Sequence, residues 1–228
     1  MPNTHAIVGP THIAYLLHGE PGAGKSTVAS LLARNAGCAV VAFDDFWGAR
    51  HLTPSCASST EKWDVYRAAL AAARRELRQM DVVVDCTSRS ADFRRYATLT
   101  FRAVGSRVVF LSCHAPRVAM RRRVAARWLL EPKHPSTGVQ QFDAIAATFE
   151  PLDGRDSYLT IMRIDTAGSR PRLVDGYGPD ARQVSAELTR AFEPHSTALD
   201  GFTWLARSSV GVWLEAIQDA MCIITKNR

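Results

Sequence analysis

The stretch "HGEPGAGKST", residues 18–27, decides the reading of this chain. It keeps a fixed spacing: Gly19, four residues, then Gly24, Lys25 and Ser26. A glycine-rich turn between a strand and a helix can aim several backbone N–H groups at one point, at the positive end of the helix dipole, and so cradle an anion. Gly19, Gly22 and Gly24 supply the backbone freedom, with Glu20, Pro21 and Ala23 between them. In a loop of this spacing the lysine, Lys25, reaches the β- and γ-phosphates of a nucleotide, and the hydroxyl of Ser26 takes a place on Mg²⁺. Thr27 supports the first helical turn. The expected nucleotide-binding set is therefore Gly19 to Thr27 without a break.

The flanks supply the context that the motif needs. "HIAYLLHG" (12–19) is an apolar, strand-like run, and "KSTVASLLARNAG" (25–37) has apolar residues at helical spacing and ends on a glycine. The same rhythm then repeats. Strands are expected at 37–43, 81–88, 107–113 and 158–165, and helices at 61–80, 91–105, 115–130, about 140–149 and about 179–192. Apolar strands without in–out alternation, separated by helices, argue for a parallel sheet covered on both faces. The expected fold is α/β, three-layered, with a parallel five-stranded sheet and a lid at about 127–140. Residues 1–198 would form that domain. The tail 199–228, with Trp204, Leu205, Val212, Trp213, Ile217 and Met221 partly at helical spacing, would pack as a helical extension on the domain or on a second subunit.

Composition sets outer limits. A chain of 228 residues can bury a sizeable core as one domain. Cys38, Cys56, Cys86, Cys113 and Cys222 form an odd set without a CxxC pair, which indicates neither a disulfide framework nor a zinc site. No signal segment and no apolar run of bilayer length is visible, so a cytoplasmic protein with no membrane partner is expected. The net charge of +6 suits phosphate-rich ligands and is weak evidence for nucleic acid.

In a parallel sheet, ligands lie beyond the carboxyl ends of the strands. That rule gathers the loop, Asp44, Asp45, Asp85 and the residues after 113 on one edge. "AFDDFW" (42–47) sets two adjacent carboxylates at a strand end, where one can accept the proton of an attacking hydroxyl and the other can orient substrate. Asp44 is favoured as the base over Asp45, which would face the substrate. Asp85, ending "VVVD", is the candidate carboxylate on the Mg²⁺ side, through a coordinated water. Thr87 is near enough to bind substrate, although hydroxyls at strand ends also cap helices. "RVAMRRRVAAR" (117–127) is dense in arginine, and Arg123 and Arg127 share a helical face. Arginines on a closing segment can stabilise a transferring phosphoryl group, with Arg122 the rival to this pair. His18 is expected to be packed rather than catalytic. His51, His114 and His134 lack metal-ligand spacing.

The order "GEPGAGKST", "FDDFW", "VVVDCTSRSADFRR", "RRRVAAR", "FEPLDGRD" resembles the P-loop kinases grouped with the kinase half of phage polynucleotide kinase, zeta toxins and chloramphenicol phosphotransferase. The likeness spans roughly residues 12 to 166, and only the first motif is highly specific. It implies a nucleotide-kinase-like fold with a helical lid, and ATP and Mg²⁺ as cofactors. Asp44 is implied as general base, with Lys25, Arg123 and Arg127 stabilising the transferred group. Polynucleotide kinases resemble "DDxR" after the second strand, where this chain has Trp47. The departure argues against a nucleic-acid end and for an acceptor with a flat or apolar part, met by Trp47. Three readings follow: a kinase for a hydroxyl-bearing small molecule such as an antibiotic, a sugar nucleotide or another metabolite; a 5′-hydroxyl polynucleotide kinase; and an ATP-binding regulatory protein with slow hydrolysis. Either a monomer or a homodimer is consistent with them.

Overall fold

The structure is a computed structural model describing residues 12–193, apart from 53, 55, 131–138, 153–155 and 157. The tail beyond 198 and most of the expected lid lie outside the described residues.

All six residues of the strand β1 (Ile13–His18) are buried. A strand without an exposed face must lie in the middle of a sheet covered on both sides. It does: β3 (Val82–Asp85) pairs with it on one side and β4 (Arg107–His114) on the other, both in parallel. The sheet runs β2-β3-β1-β4-β5-β6, with β2 (Ala39–Ala42) at one edge, β5 (Thr160–Asp165) parallel to β4, and β6 (Arg172–Tyr177) at the other edge. The five expected parallel strands are all present. The sixth, β6, is antiparallel to β5 and corrects the five-stranded expectation. Its sequence, "RLVDGY", is polar because the strand is an edge with most of its residues exposed.

Helices cover both faces. α1 (Lys25–Ala36), α5 (Arg117–Leu130), α6 (Val139–Ala146) and α7 (Ala181–Phe192) contribute to one core, into which β1 sends Ile13, Tyr15 and Leu17. α2 (Phe43–Gly48), α3 (Ser59–Glu76) and α4 (Ala91–Arg102) cover the other, which receives Ala14 and Leu16. The alternation of strand side chains thus serves two cores at once. Local signals start and stop the helices. Ser58 and Glu61 form a reciprocal capping box on α3, Ser90 accepts from the Phe93 N–H at the head of α4, and Gly37 (φ 70°) ends α1 in the left-handed conformation.

Two expectations after β2 change. Asp44 and Asp45 lie in the first turn of α2, not at a strand end, so they diverge by about 100° around a helix axis rather than to opposite sheet faces. Their charges also suit that helix start. Trp47 is 4% exposed and packs edge-on against Tyr66 at 6.3 Å. It is a core residue beneath the site and not a wall facing an acceptor.

One polar side chain crosses the second core. Arg94 on α4 is fully buried and pairs with Asp156 at 2.8 Å. Its remaining donors go to the carbonyls of Ser88, Arg89, Glu150 and Pro151 at 3.1–3.3 Å. A buried guanidinium is tolerated when its donors find acceptors, and here they tie the end of β3 to the segment after α6. Replacing Arg94 by Met would remove the guanidinium from Asp156 and take a donor away from four carbonyls. The expected loss is about 3–5 kcal/mol, read as a lower midpoint in urea unfolding with an unchanged slope.

Candidate active site

The phosphate loop connects β1 to α1. Gly19, Gly22 and Gly24 all have positive φ, at 147°, 77° and 79°. Space forbids side chains there too: a Cβ on Gly22 would run into the Met120 carbonyl, and one on Gly24 would come within 2.9 Å of Thr166. Ala23 donates its N–H to the Glu20 carbonyl at 3.1 Å, closing the turn. The head of α1 has no side-chain cap and no acidic residue in its first turn. Its N–H groups and its dipole are left for an anion.

Other elements hold the loop from three sides. Thr166, just past β5, donates its hydroxyl toward the Ala23 carbonyl at 2.8 Å and the His114 carbonyl at 2.9 Å. Arg123 on α5 donates to the Gly22 carbonyl at 3.1 Å and the Thr166 carbonyl at 2.6 Å. Gly19 donates its N–H to the Thr87 carbonyl at 3.4 Å. Arg123 therefore works, in this state, as a clamp between α5, the loop and β5.

Lys25 bends back over the loop and donates to the carbonyls of Gly19 and Glu20, at 2.9 and 3.0 Å. Desolvation pulls its pKa down, and the field of Asp85 opposes the shift. Asp85 has the complementary surroundings. Burial raises its pKa, while Lys25 and a hydrogen bond with Ser26 favour its charged form. Asp44 and Arg127 are both close enough to Asp85 to act on it, the first raising and the second lowering its pKa. Four sequence-predicted residues, Lys25, Ser26, Asp44 and Arg127, thus lie near enough to Asp85, at the carboxyl end of β3, to act on its charge. One carboxylate oxygen of Glu20 is buried without a hydrogen-bond partner among the described residues. Among the described residues there is no cluster of three or more His, Cys, Asp or Glu side chains able to hold a metal. The oxygen donors that suit Mg²⁺ here are Ser26 and Asp85.

The other candidates scatter. Asp45 is exposed on α2, and Thr87 is exposed beside a small cavity that its side chain lines. Arg122 is exposed, and Arg117 and Arg121 pair with Asp143 at 2.9 and 3.7 Å, tying α5 to α6. His18 is buried, with Nδ1 3.2 Å from the Ser88 carbonyl and its ring edge-on to Phe149, the packed role expected of it. Arg94, Asp156 and Thr166 were not singled out by sequence. In "ADFRRYATLTFR" the apolar face formed by Phe93, Ala97 and Phe101 also takes in position 94, a signal that Arg94 is covered.

A glycine cradle, an uncapped helix head, a lysine over the loop and a carboxylate, Asp85, at the end of the neighbouring strand define a P-loop nucleotide-binding protein. A family model described as an AAA domain matches residues 15–152, more than half of the chain. The chain belongs to that family. Among solved structures it is similar to the APS kinase CysC of Mycobacterium tuberculosis in complex with AMPPNP and APS, at 18% identity over 82% of this chain and 100% of that one, with a TM-score of 0.55. It is also similar to the PezAT toxin–antitoxin system of Streptococcus pneumoniae, at 16% identity over 91% and 89% of the two chains, with a TM-score of 0.52. A putative kinase from Chloroflexus aurantiacus shares 14% identity over 80% of this chain and 100% of its own, with a TM-score of 0.51. At these identities the likeness is one of fold, and the fold is that of the P-loop kinases. No curated protein sequence matches the chain. Among the described residues no helix is long and apolar enough to cross a membrane.

His18 gives the site a pH dependence. Burial pulls its pKa down to about 4, with Arg94 and Lys25 adding to the shift and the Ser88 carbonyl opposing it. Between that value and the ordinary histidine range the unfolded chain binds the proton and the folded chain does not, so stability rises with pH through this window. His18 should cost roughly 3 kcal/mol on acidification from pH 7 to 4. His18→Gln should flatten that part of the stability–pH curve in urea titrations.

Proposed function

We propose that the chain is an ATP-dependent phosphotransferase that moves the γ-phosphoryl group of ATP to a hydroxyl of a small molecule. The observation that supports it is the meeting of Lys25, Ser26, Asp44, Asp85 and Arg127 beside an uncapped helix head. Phosphoryl transfer needs little covalent chemistry from the protein, and its demands are positioning and charge.

The loop N–H groups and the head of α1 receive the phosphates. Lys25 exchanges the Gly19 and Glu20 carbonyls for phosphate oxygens, a better partner for an ammonium. Asp44 stands at the first turn of α2 and takes the proton from the acceptor hydroxyl. Arg127 adds positive charge as negative charge spreads over the transferring group, and Arg123 keeps the loop in shape through Gly22. Mg²⁺, when bound, neutralises phosphate charge, and Ser26 with Asp85 would hold it, Asp85 through a water.

Lys25→Ala should lower transfer at least about 100-fold by removing charge stabilisation in the transition state. Asp44→Asn should lower transfer by roughly 100-fold or more while ATP binding changes little. Both are read with γ-labelled ATP, Mg²⁺ and a panel of nucleosides, sugar nucleotides, antibiotics and 5′-hydroxyl oligonucleotides. Near wild-type transfer by Lys25→Ala refutes the assignment of the loop. An Asp45→Asn protein that alone loses transfer moves the base. Labelling of oligonucleotides only would make the chain a nucleic-acid end kinase, and ATP binding without any transfer a regulatory protein.

A further inference from the structure

A cavity of about 460 Å³ runs along the outer side of α4, from Asp92 to Arg102, and is closed on its other side by Asp156 and Tyr158. That volume falls within the roughly 300–1,000 Å³ of small-molecule sites. None of Lys25, Ser26, Asp44, Asp85 and Arg127 lines it, so it stands apart from the phosphate loop and its carboxylates. The period of the helix makes the stripe. Phe93, Ala97 and Phe101 face the core, while Asp92, Arg95, Leu99 and Arg102 recur at steps of three or four on the opposite, exposed side.

The floor of the cavity is polar and satisfied. Asp156 is 2% exposed and accepts from Arg94 Nη2 at 2.8 Å and Nε at 3.3 Å, and the buried Thr98 donates its hydroxyl to the Arg94 carbonyl at 2.8 Å. The charge of Asp156 is thereby balanced from behind. The wall is different. Arg95 is exposed, and among the described residues no carboxylate pairs with its guanidinium. Arg102 lays its guanidinium over the Tyr158 ring, 5.8 Å from its centre, and donates from Nη2 to the Tyr158 carbonyl at 3.0 Å. That bond leaves most of its five N–H donors for another partner. Arg95 and Arg102 stand two turns apart on the helix, about 10 Å along its axis, with Leu99 midway. Arginine side chains are long enough for both guanidiniums to reach the space between them. Asp92, the other carboxylate of the lining, lies in the first turn, where the helix dipole favours it. The half of the cavity from Arg95 to Arg102 therefore carries an excess of positive charge. It also offers apolar surface, since Leu99 is 59% and Tyr158 39% exposed. A guanidinium presents a planar fork that matches a carboxylate or phosphate with two parallel hydrogen bonds.

We propose that this cavity is a second ligand site, separate from the phosphate loop, for a small molecule that carries a carboxylate or phosphate on an apolar body. The anion lies between Arg95 and Arg102, and the body covers Leu99 and the Tyr158 ring. Such a ligand answers both features of the wall at once: donors that no carboxylate among the described residues holds, and apolar surface left in water. The site is independent of the phosphotransferase reading, because no residue of that chemistry lines it.

The test pairs octanoate with octanamide and phenyl phosphate with phenol, and adds acetate and inorganic phosphate as anions without a body. Binding to the full chain is followed by NMR of labelled leucine methyls, with and without Mg²⁺ and AMPPNP, the Leu99 signals being identified by their loss in Leu99→Gln. Octanoate or phenyl phosphate should shift the Leu99 methyls and bind about tenfold or more tighter than both its neutral twin and the bare anion. Arg95→Ala should weaken that binding about fivefold or more, Arg95→Lys should recover part of it, and Lys25→Ala should leave it unchanged. Arg95 and Leu99 are both exposed, so the fold should survive their replacement. Equal binding of the twins, a preference that survives Arg95→Ala, or no binding of either anionic probe up to about 10 mM overturns the proposal. So does binding that Lys25→Ala abolishes or that AMPPNP displaces, since the anion then sits in the phosphate loop.

Discussion

The head of α1 carries backbone N–H groups that no side chain among the described residues caps. A helix start left open in this way is costly unless something answers it, and most of the surrounding architecture keeps the place ready for that partner. Three glycines turn the chain tightly enough to aim the groups inward. β1, buried along its whole length, fixes the loop from behind, and Thr166 and Arg123 fix it from β5 and α5. Lys25 keeps its ammonium satisfied on two loop carbonyls. Preorganisation of this kind lets the charges act without rearranging at the moment of reaction.

The second organising device is a buried cation. Arg94 has no charge to offer the solvent or a ligand, yet it gathers the end of β3, the segment after α6 and Asp156 around one guanidinium. Together with His18 it connects the strand that carries the loop to the turn at Ser88. The phosphate loop and the turn after β3 therefore share a scaffold. His18 stays neutral there because burial penalises its charged form, as do the positive charges of Arg94 and Lys25 nearby.

Much of this was legible in the chain. The spacing from Gly19 to Ser26 fixed the loop, because only that combination of turn, lysine and hydroxyl suits a phosphate. The inner strands were readable because a strand buried on both faces leaves an unbroken apolar run, as in "IAYLLH", and β2 because its short run is apolar although it is an edge. β6 was hidden for the opposite reason: an edge strand can be polar. The short helix α2 was hidden because six residues carry too little periodicity. Arg94 shows the deeper limit. Its neighbour Arg95 is exposed, and composition alone does not distinguish a buried arginine from a solvated one. Trp47 misled in the same way, since a large aromatic ring reads equally as a binding wall or as core.

The position of Asp44 has a consequence for how the protein fails. The strand leading to it, β2, is four residues long and has a neighbour on one side only, whereas β1 is paired on both. Local opening is least costly at such a margin. Warming should therefore fray the margin first, carrying Asp44, the proposed base, away from the loop while the cradle on β1 still holds its shape. Catalytic competence and nucleotide retention would then melt as separate properties of one domain.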